Sequence, residues 1–596
     1  MKIEVQAFLN VEQSVCGRRW IDRLDPAATR MAGAIAQQTE LSEILARIIA
    51  GRGVAVEDAA RFMTPTIREL MPDPSTLAGM DGLAERLADA VAAEETIGLF
   101  GDYDVDGACA VALMARYLAH FGLEAPSHIP DRIFEGYGPN NGAMDALADR
   151  GATLIVTLDC GTVSHGPIVH AQARGAEVLV VDHHLAPDTL PEARGLVNPN
   201  RRDDISGLGY LCATGVAFMV LVATNRILRQ RGIGPLPDLM AMLDLVALAT
   251  VCDVVPLTGL NRAFVQRGIE VMRAGENVGL SSLAIAARVS GPLNPYHLGF
   301  LLGPRINAGG RIGDAGLGAR LLSTQDEYEA LTLAQRLDEL NAERQRIEVA
   351  AVEQAVATAE MEIGEGPGPA VLVTGSSEWH QGIVGLVAAR LKERFSRPAF
   401  AFALGAGGGG TGSGRSIPRV DLGKAVVDAA SGGIILKGGG HAMAAGATIG
   451  PGQLGPFRQY LIDMLTDDVA AARSSDGCRI DAALTARAAT TDFVHMIEKA
   501  GPFGAGNPTP VFAFPSHQVK FAEIVGTGGH VRCSIGAGDG ANLKAIAFRA
   551  ASTPLGEALL KARDGQRLHL AGSLSIDNWQ GRESVQLRII DAAVPG

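Results

Sequence analysis

"LFGDYDVDG", residues 99–107, sets three aspartates at alternate positions behind an apolar lead-in and closes on glycine. A calcium loop of the EF-hand type opens the same way, with glycine at position six and a bidentate Glu at position twelve. Counted from Asp102, Gly107 is sixth, but position nine is Ala110 and position twelve is Leu113. That reading fails. Ahead of Asp102 stands "TIGLFG", the pattern of a short buried strand, and after Gly107 comes "ACAVALMARYLAHFG", small and apolar residues at helical spacing. The aspartates therefore belong to a strand-to-helix turn, at the carboxyl edge of an open parallel sheet, where sites assemble.

Outward from this turn the chain alternates strand-like and helix-like segments: "TIGLFGD", "LIVTLDCG", "EVLVVDHH" and, after a longer helical region, "LDLVALATVCDVVPL", all four taken as strands. Such alternation predicts a βαβ-built parallel sheet, over residues 81–290, with every strand end on one edge. Thr324 and Glu327 make a capping-box signature. From Gln325 to Ile363 there is neither Gly nor Pro, so residues 291–364 read as a motif loop followed by a rod of roughly 55 Å. A second α/β unit is expected over 365–475, with "AVLVTG", "IVGLVAARLKERF" and "RPAFAFAL". After about 475 come five short alternating strands, which suggest a small antiparallel barrel, an OB-fold being the favoured form, over 476–596. Residues 1–80 read as an extension carrying no chemistry.

Hydrophobic residues make up 47% of the 596-residue chain and charged ones 20%, a globular rather than a disordered composition. No apolar run reaches the roughly 18–20 residues that span a bilayer. The N-terminus has no apolar run before a cleavage site, so a soluble, cytoplasmic protein is expected, with monomer as the default state. The seven cysteines form no CxxC pair, which argues against a zinc site or a disulfide framework. A net charge of −13 speaks against nonspecific coating of nucleic acid, but not against a nuclease with a local basic groove.

Four expected strand ends carry ionisable groups: Asp102, Asp104 and Asp106; Asp159; Asp182, His183 and His184; and Asp253. Aimed at one edge they form a large unpaired negative charge unless cations sit among them. Oxygen donors with one or two imidazoles suit Mn²⁺ or Mg²⁺. Five or six carboxylates exceed what one ion needs, so two ions roughly 3.5–4 Å apart are expected, an arrangement suited to phosphoester hydrolysis. A polyanionic substrate also needs fixed donors. "GPRINAGGR" offers Arg305, Asn307 and Arg311; "SGRS" offers Ser413 and Arg415; "GGGH" offers His441. Glycine lets backbone N–H groups approach phosphate oxygens, and arginine binds them bidentately.

"DYDVDG", "LDCG", "DHH", "CDVVPL", "GPRINAGGR", "SGRS" and "GGGHAMAAG", in this order, resemble the bacterial RecJ exonucleases of the DHH phosphoesterase superfamily, from about residue 80 to the C-terminus. The resemblance implies that Asp104, Asp106, Asp159, His183 and Asp253 bind two Mn²⁺ or Mg²⁺ ions, with Asp159 bridging, and that Asp102, Asp182 and His184 are ligands or lie just behind them. It implies that Arg132, Ser413 and Arg415 recognise a 5′-phosphate, and that Arg305, Asn307, Arg311 and His441 hold phosphates around the scissile bond. The implied reaction removes 5′-mononucleotides from single-stranded DNA, 5′ to 3′, in repair and recombination. Selectivity for single strands would follow from a narrow passage between the two α/β units. A helicase and a single-strand-binding protein are the partners it implies. The barrel would bind the trailing strand, with Trp579, Phe521 or Phe548 as stacking platforms if they are not core residues. Gln381 stands where the family pattern expects proline, and Thr162 where it expects Ile; the glycine run at 405–410 is longer than expected.

Two other readings are weighed against this one. A DHH phosphodiesterase acting on short oligonucleotides or dinucleotides, like a manganese pyrophosphatase, would lack the C-terminal barrel. A noncatalytic replication scaffold would have lost its carboxylates, and every one is present here.

Overall fold

The segment leading into the three aspartates is a strand, β1 (Ile97–Gly101), buried along its whole length. The computed structural model describes residues 6–596 apart from 365, 475–476, 527, 539 and 580–581. In it β1 pairs in parallel with β2 (Ser127–His128) and β3 (Leu154–Leu158), and the sheet continues through β4 (Glu177–Val181) to β5 (Gly195–Val197). The order β2-β1-β3-β4-β5 puts the ends of β1, β3 and β4 side by side. These strands read as apolar runs rather than alternating ones because both faces are covered, as parallel sheets require. Phe100, Ile155 and Val180 pack with Met144, Leu147 and Ile168 on one face.

The fourth expected strand is a correction. Leu243–Cys252 form a helix, α3, with residues 243–250 all buried. An apolar run closed in on every side has no alternation to separate helix from strand, and only its length, beyond the strand mode of about 5–6 residues, argued for helix. Asp253 therefore enters the site from a helix C-terminus. The other helices that matter here are α1 (Val105–Ala119) and α2 (Ala213–Gln230). The "GPRINAGGR" motif, expected as a loop, is also helical, α4 (Gly303–Ile312). Its glycines are there for close packing: a Cβ on Gly310 would meet the Tyr103 carbonyl oxygen at 2.6 Å.

The rod is α5 (Glu327–Ile363, 37 residues), about 55 Å at 1.5 Å per residue. Its cap differs from the expected one. Asp326 accepts the Glu329 N–H, while the Thr324 hydroxyl bonds the Glu329 carboxylate.

Beyond α5 lies a mixed sheet of β6 (Leu372–Ser376), β7 (Ala399–Leu404), β8 (Gly410–Arg415), β9 (Lys437–His441) and β10 (Ala444–Ile449), with α6 (Val384–Phe395) packed on it. The order is β9-β10-β8-β7-β6, with β6 and β7 parallel and the rest antiparallel. The glycines around Ser413 prove to be packing glycines: a Cβ on Gly412 or Gly414 would strike the rings of Phe402 and Phe400. β8 is paired on both sides, so its backbone N–H groups serve the sheet and not a phosphate.

The chain divides into two units. One comprises Met71–Val255 and Phe264–Ser475; the other comprises Met1–Leu70, Pro256–Ala263 and Asp476–Gly596. In the second unit, strands Phe512–Val525, His530–Gly536, Asn542–Ala547, Arg582–Ala593 and Arg567–Trp579 pair in that order, and Arg567–Trp579 returns to Phe512–Val525 to close a barrel. The N-terminal segment is part of this unit. Arg19–Asp22 pairs in parallel with Gly477–Ile480, Leu45 and Ile48 join the barrel core, and buried Trp20 donates its indole N–H to Asp591 at 3.1 Å. Phe521 and Phe548 are 43% and 52% exposed, so neither is a core residue. The Trp579 side chain and residues 580–581 lie outside the described residues.

Candidate metal centre and nucleotide cleft

Asp102 leaves the end of β1, and the turn behind it requires glycine. A Cβ on Gly107 would sit 2.4 Å from the Asp102 carbonyl oxygen. Asp104 is the N-cap of α1, its Oδ1 accepting the Gly107 N–H at 3.0 Å. Asp106, in the first turn of the helix, is fully buried against the N-terminus of α2. Its carboxylate accepts the N–H groups of Ala213 (2.6 Å) and Thr214 (2.8 Å) and the Thr214 hydroxyl (2.6 Å).

Asp159 follows β3 in left-handed backbone, φ 65°, which Asp tolerates better than most residues. Asp182 follows β4 and organises the next turn: its oxygens accept the N–H groups of Thr162 (3.0 Å), His183 (2.7 Å) and His184 (3.1 Å), and His184 Nδ1 lies at 2.8 Å. Burial pushes its carboxyl up, but His184 and the Thr162 donors outweigh this and hold it below the ordinary carboxylate range. His183 turns Nδ1 to the Leu211 carbonyl oxygen at 3.0 Å, so Nδ1–H donates there and Nε2 is the nitrogen turned toward the carboxylates. That Nε2 faces Asp159 (3.3 Å), Asp253 (3.6 Å) and Asp106 (3.9 Å).

The remaining carboxylates have little to satisfy them. Asp102 Oδ1, Asp159 Oδ1 and Asp253 Oδ2 are buried with no hydrogen-bond partner among the described residues. Burial, then the charges of Asp106 and Asp104, push Asp253 up to about 9. Burial and neighbouring carboxylates likewise raise Asp102, Asp104 and Asp159. Carboxylates crowded in a low-dielectric site without counter-charge call for cations. Donor atoms of Asp106, His183 and Asp253 converge within 4.8 Å, as do those of Asp102, Asp104 and Asp159, and a third group joins Asp159, His183 and His184. Carboxylate-rich groups with up to two imidazoles, linked through Asp159 and His183, fit a pair of hard divalent ions.

A cleft of about 580 Å³ opens between Tyr103, Arg132 and Tyr137 on one side and Gln381, Ser413, Arg415 and the β9–β10 strands on the other. Arg132 lies over the Tyr103 ring, 4.9 Å from its centroid. Arg415 bonds the Ser413 hydroxyl and the Gly414 carbonyl oxygen, each at 2.8 Å. Arg311 donates to the Gly382 carbonyl oxygen at 3.1 Å, and burial, together with Arg132, Arg344 and Arg415, pushes it down to about 10 against the opposing carboxylate of Glu348. Cations crowded this way are able to take up an anion. Arg305 points elsewhere: it is paired with Asp338 of α5 at 2.8 Å and with the Leu301 carbonyl oxygen. Asn307 is half-buried on α4, and His441 is exposed at the end of β9.

Sequence reasoning passed over Tyr103 and Tyr137. Tyr103 lies inside the aspartate motif itself. The Tyr137 hydroxyl stands 3.1 Å from His184 Nδ1 and 3.3 Å from the Asp159 carbonyl oxygen; its only signal was its place between two glycines five residues after Arg132.

Three family models match the chain: the N-terminal domain of the DHH family over residues 96–250, the DHHA1 domain over 368–467 and the RecJ OB domain over 480–591. The single-stranded-DNA-specific exonuclease RecJ of Salmonella typhimurium is 36% identical over 566 residues, 93% of this chain and 96% of that protein. The chain belongs to the RecJ family. RecJ of Bacillus subtilis is 30% identical, the match covering 94% of this chain and 69% of that one. Among solved structures, RecJ from Thermus thermophilus in complex with Mn²⁺ matches with a TM-score of 0.74 at 27% identity, over 96% of this chain and 78% of that chain; the Mg²⁺ complex matches at 0.68. The parallel-sheet DHH part, the DHHA1 part and the closed OB-type barrel are thus family features. No helix among the described residues is long and apolar enough to cross a membrane.

Proposed function

We propose that this chain is a metal-dependent, single-stranded-DNA-specific exonuclease that hydrolyses strands from the 5′ end and releases 5′-mononucleotides. The observation that carries the reading is the pairing of a carboxylate cluster holding three orphaned oxygens with a cleft walled by Arg132, Ser413 and Arg415. Asp104, Asp106, Asp159, His183 and Asp253 would hold two Mn²⁺ or Mg²⁺ ions, Asp159 contributing to both. Such ions supply an activated water and charge neutralisation at a phosphodiester.

The chain's own residues do the rest. Asp182 and the Leu211 carbonyl oxygen orient the two histidines and fix the His183 tautomer. Arg132, Ser413 and Arg415 grip a terminal 5′-phosphate, which sets the cut one nucleotide in. Arg311 balances charge on the strand. Arg305, paired with Asp338, acts by holding α4 against α5. A cleft of this size takes one nucleotide chain at a time, which excludes duplex ends. In this reading the enzyme works in the cytoplasm as a monomer, on strands opened by a helicase and covered by single-strand-binding protein, in repair and recombination.

The test is product analysis with Mn²⁺ on single-stranded and blunt duplex DNA labelled at either end. Early release of labelled mononucleotide from the 5′ end of the single strand alone is expected. Hydrolysis of dinucleotides only, or none, would replace the reading by a small-substrate phosphodiesterase or a scaffold.

A further inference from the structure

Just ahead of α4, a short helix (Pro295–His297) runs into a π-turn (Leu298–Leu302) that opens directly into Gly303. This element carries two aromatic side chains that the fold leaves outside. Phe300 is 69% exposed and Tyr296 49%. Their rings are stacked on each other, 23° apart with centroids at 5.1 Å, so each covers part of the other and the outer surface of the stack faces water. Burying either ring would contribute to folding, and the core takes neither.

The turn beneath the rings is anchored at the metal centre. Leu298 is fully buried, and its carbonyl oxygen accepts from Cys252 Sγ at 3.4 Å. Cys252 directly precedes Asp253. Gly303 is seated on the same sulfur, where a Cβ would lie 2.5 Å away. The segment's own charge is equally one-sided. From Asn277 to Gly313 there is no Asp or Glu, in a chain whose net charge is −13; of its three arginines, Arg305 is paired with Asp338 and Arg311 with the Gly382 carbonyl oxygen, while Arg288 is exposed. An exposed aromatic stack inside an acid-free segment that carries the exposed Arg288, anchored through Cys252 next to Asp253, matches the way proteins hold single strands: bases stack on rings while cations track the backbone.

We propose that Tyr296 and Phe300 form a base-stacking platform for single-stranded DNA on the 3′ side of the scissile bond. The inference rests on the exonuclease reading and adds a subsite to it. The platform holds the strand that remains after each cut, independently of its sequence, since every base offers a π-face.

The test compares wild type, the double variant Tyr296→Ala/Phe300→Ala and Phe300→Trp. Each is assayed with Mn²⁺ on long 5′-phosphorylated oligothymidylate and on a 5′-phosphorylated dinucleotide, and equilibrium binding of labelled oligothymidylate is read by anisotropy. In the double variant KM and Kd for the long strand rise roughly tenfold or more, kcat is retained, the dinucleotide KM moves far less, and Phe300→Trp keeps wild-type values. Long-strand KM and Kd within twofold of wild type, as for a surface that docks a protein instead, would overturn the platform. So would equal losses on both substrates. Failure of wild type to cut either substrate would count against the exonuclease reading, and the binding arm would still decide the platform.

Discussion

His183 Nε2 lies 3.3 Å from Asp159 Oδ1, a buried oxygen with no hydrogen-bond partner among the described residues. The two sit at the ends of adjacent strands, and each takes part in two of the three convergent donor groups. His183→Ala or Asp159→Ala should therefore reduce hydrolysis by more than the roughly 10–100-fold that loss of an outer partner costs at a metal site. Tyr137→Phe, which removes only the hydroxyl beside His184, should stay within that range. Single-turnover rates with Mn²⁺, beside circular dichroism to verify folding, separate the classes. Wild-type rates in Asp159→Ala would sink the two-metal assignment.

Metal addition should stabilise the protein, and Asp253 decides how much. Mn²⁺ at a hundred times its Kd adds about 2.7 kcal/mol, read as a rise in Tm. Asp253→Asn removes a carboxyl that burial, then the charges of Asp106 and Asp104, make costly to ionise. The metal-free variant should melt higher than metal-free wild type, and its Mn²⁺-dependent rise should shrink. A variant that is less stable without metal and keeps the full rise would show that Asp253 is not a ligand.

Arg415 and Ser413 face the cleft with Arg132. Arg415→Ala should raise KM for 5′-phosphorylated strands more than for 5′-hydroxyl strands, on the order of tenfold for a lost charge-assisted contact. Equal effects on both ends would remove its assignment to the 5′-phosphate.

Trp20 ties the N-terminal segment to the barrel unit. It is fully buried and packs with Cys478, Ile480, Ala513, Ala571 and Ala593. Trp20→Ala should cost about 3–5 kcal/mol and lower the unfolding midpoint of that unit in denaturant. Limited proteolysis of the variant should then release barrel fragments that the wild type protects.

His495 stands between Glu583 (3.2 Å) and Glu498 (3.3 Å), and the hydrogen bonds to Glu583 and then Glu498 raise its pKa above the ordinary 6.5. A raised histidine contributes stability that is fully present below about 6.5 and is lost as pH rises through the folded-state value. His495→Gln should flatten that small decline, seen as Tm against pH at low salt. An unchanged slope would show that the pair contributes nothing.

Much of the site was legible because its chemistry is local. Asp102, Asp104 and Asp106 announce themselves by spacing, "DHH" by composition, and the five barrel strands by alternation and turn residues. Asp253 was found by its motif but assigned to the wrong element, because an all-apolar run carries no period. The glycines beside Ser413 suggested phosphate contact, whereas they make room for Phe400 and Phe402. Which neighbour a glycine spares cannot be read from its own segment.

The sequence by itself determined the family through the order of its motifs and the closing barrel through alternation and turn residues, since a motif's side chains and a strand's period act over a few residues. Only the tertiary structure decided the rest. It set the tautomer of His183 through the Leu211 carbonyl, committed Arg305 to Asp338, brought Arg132 over Tyr103, and joined Arg19–Asp22 to Gly477–Ile480. Each of these depends on groups far apart in the chain meeting at hydrogen-bond or packing distance, and that meeting is decided by burial and strand pairing across the whole fold.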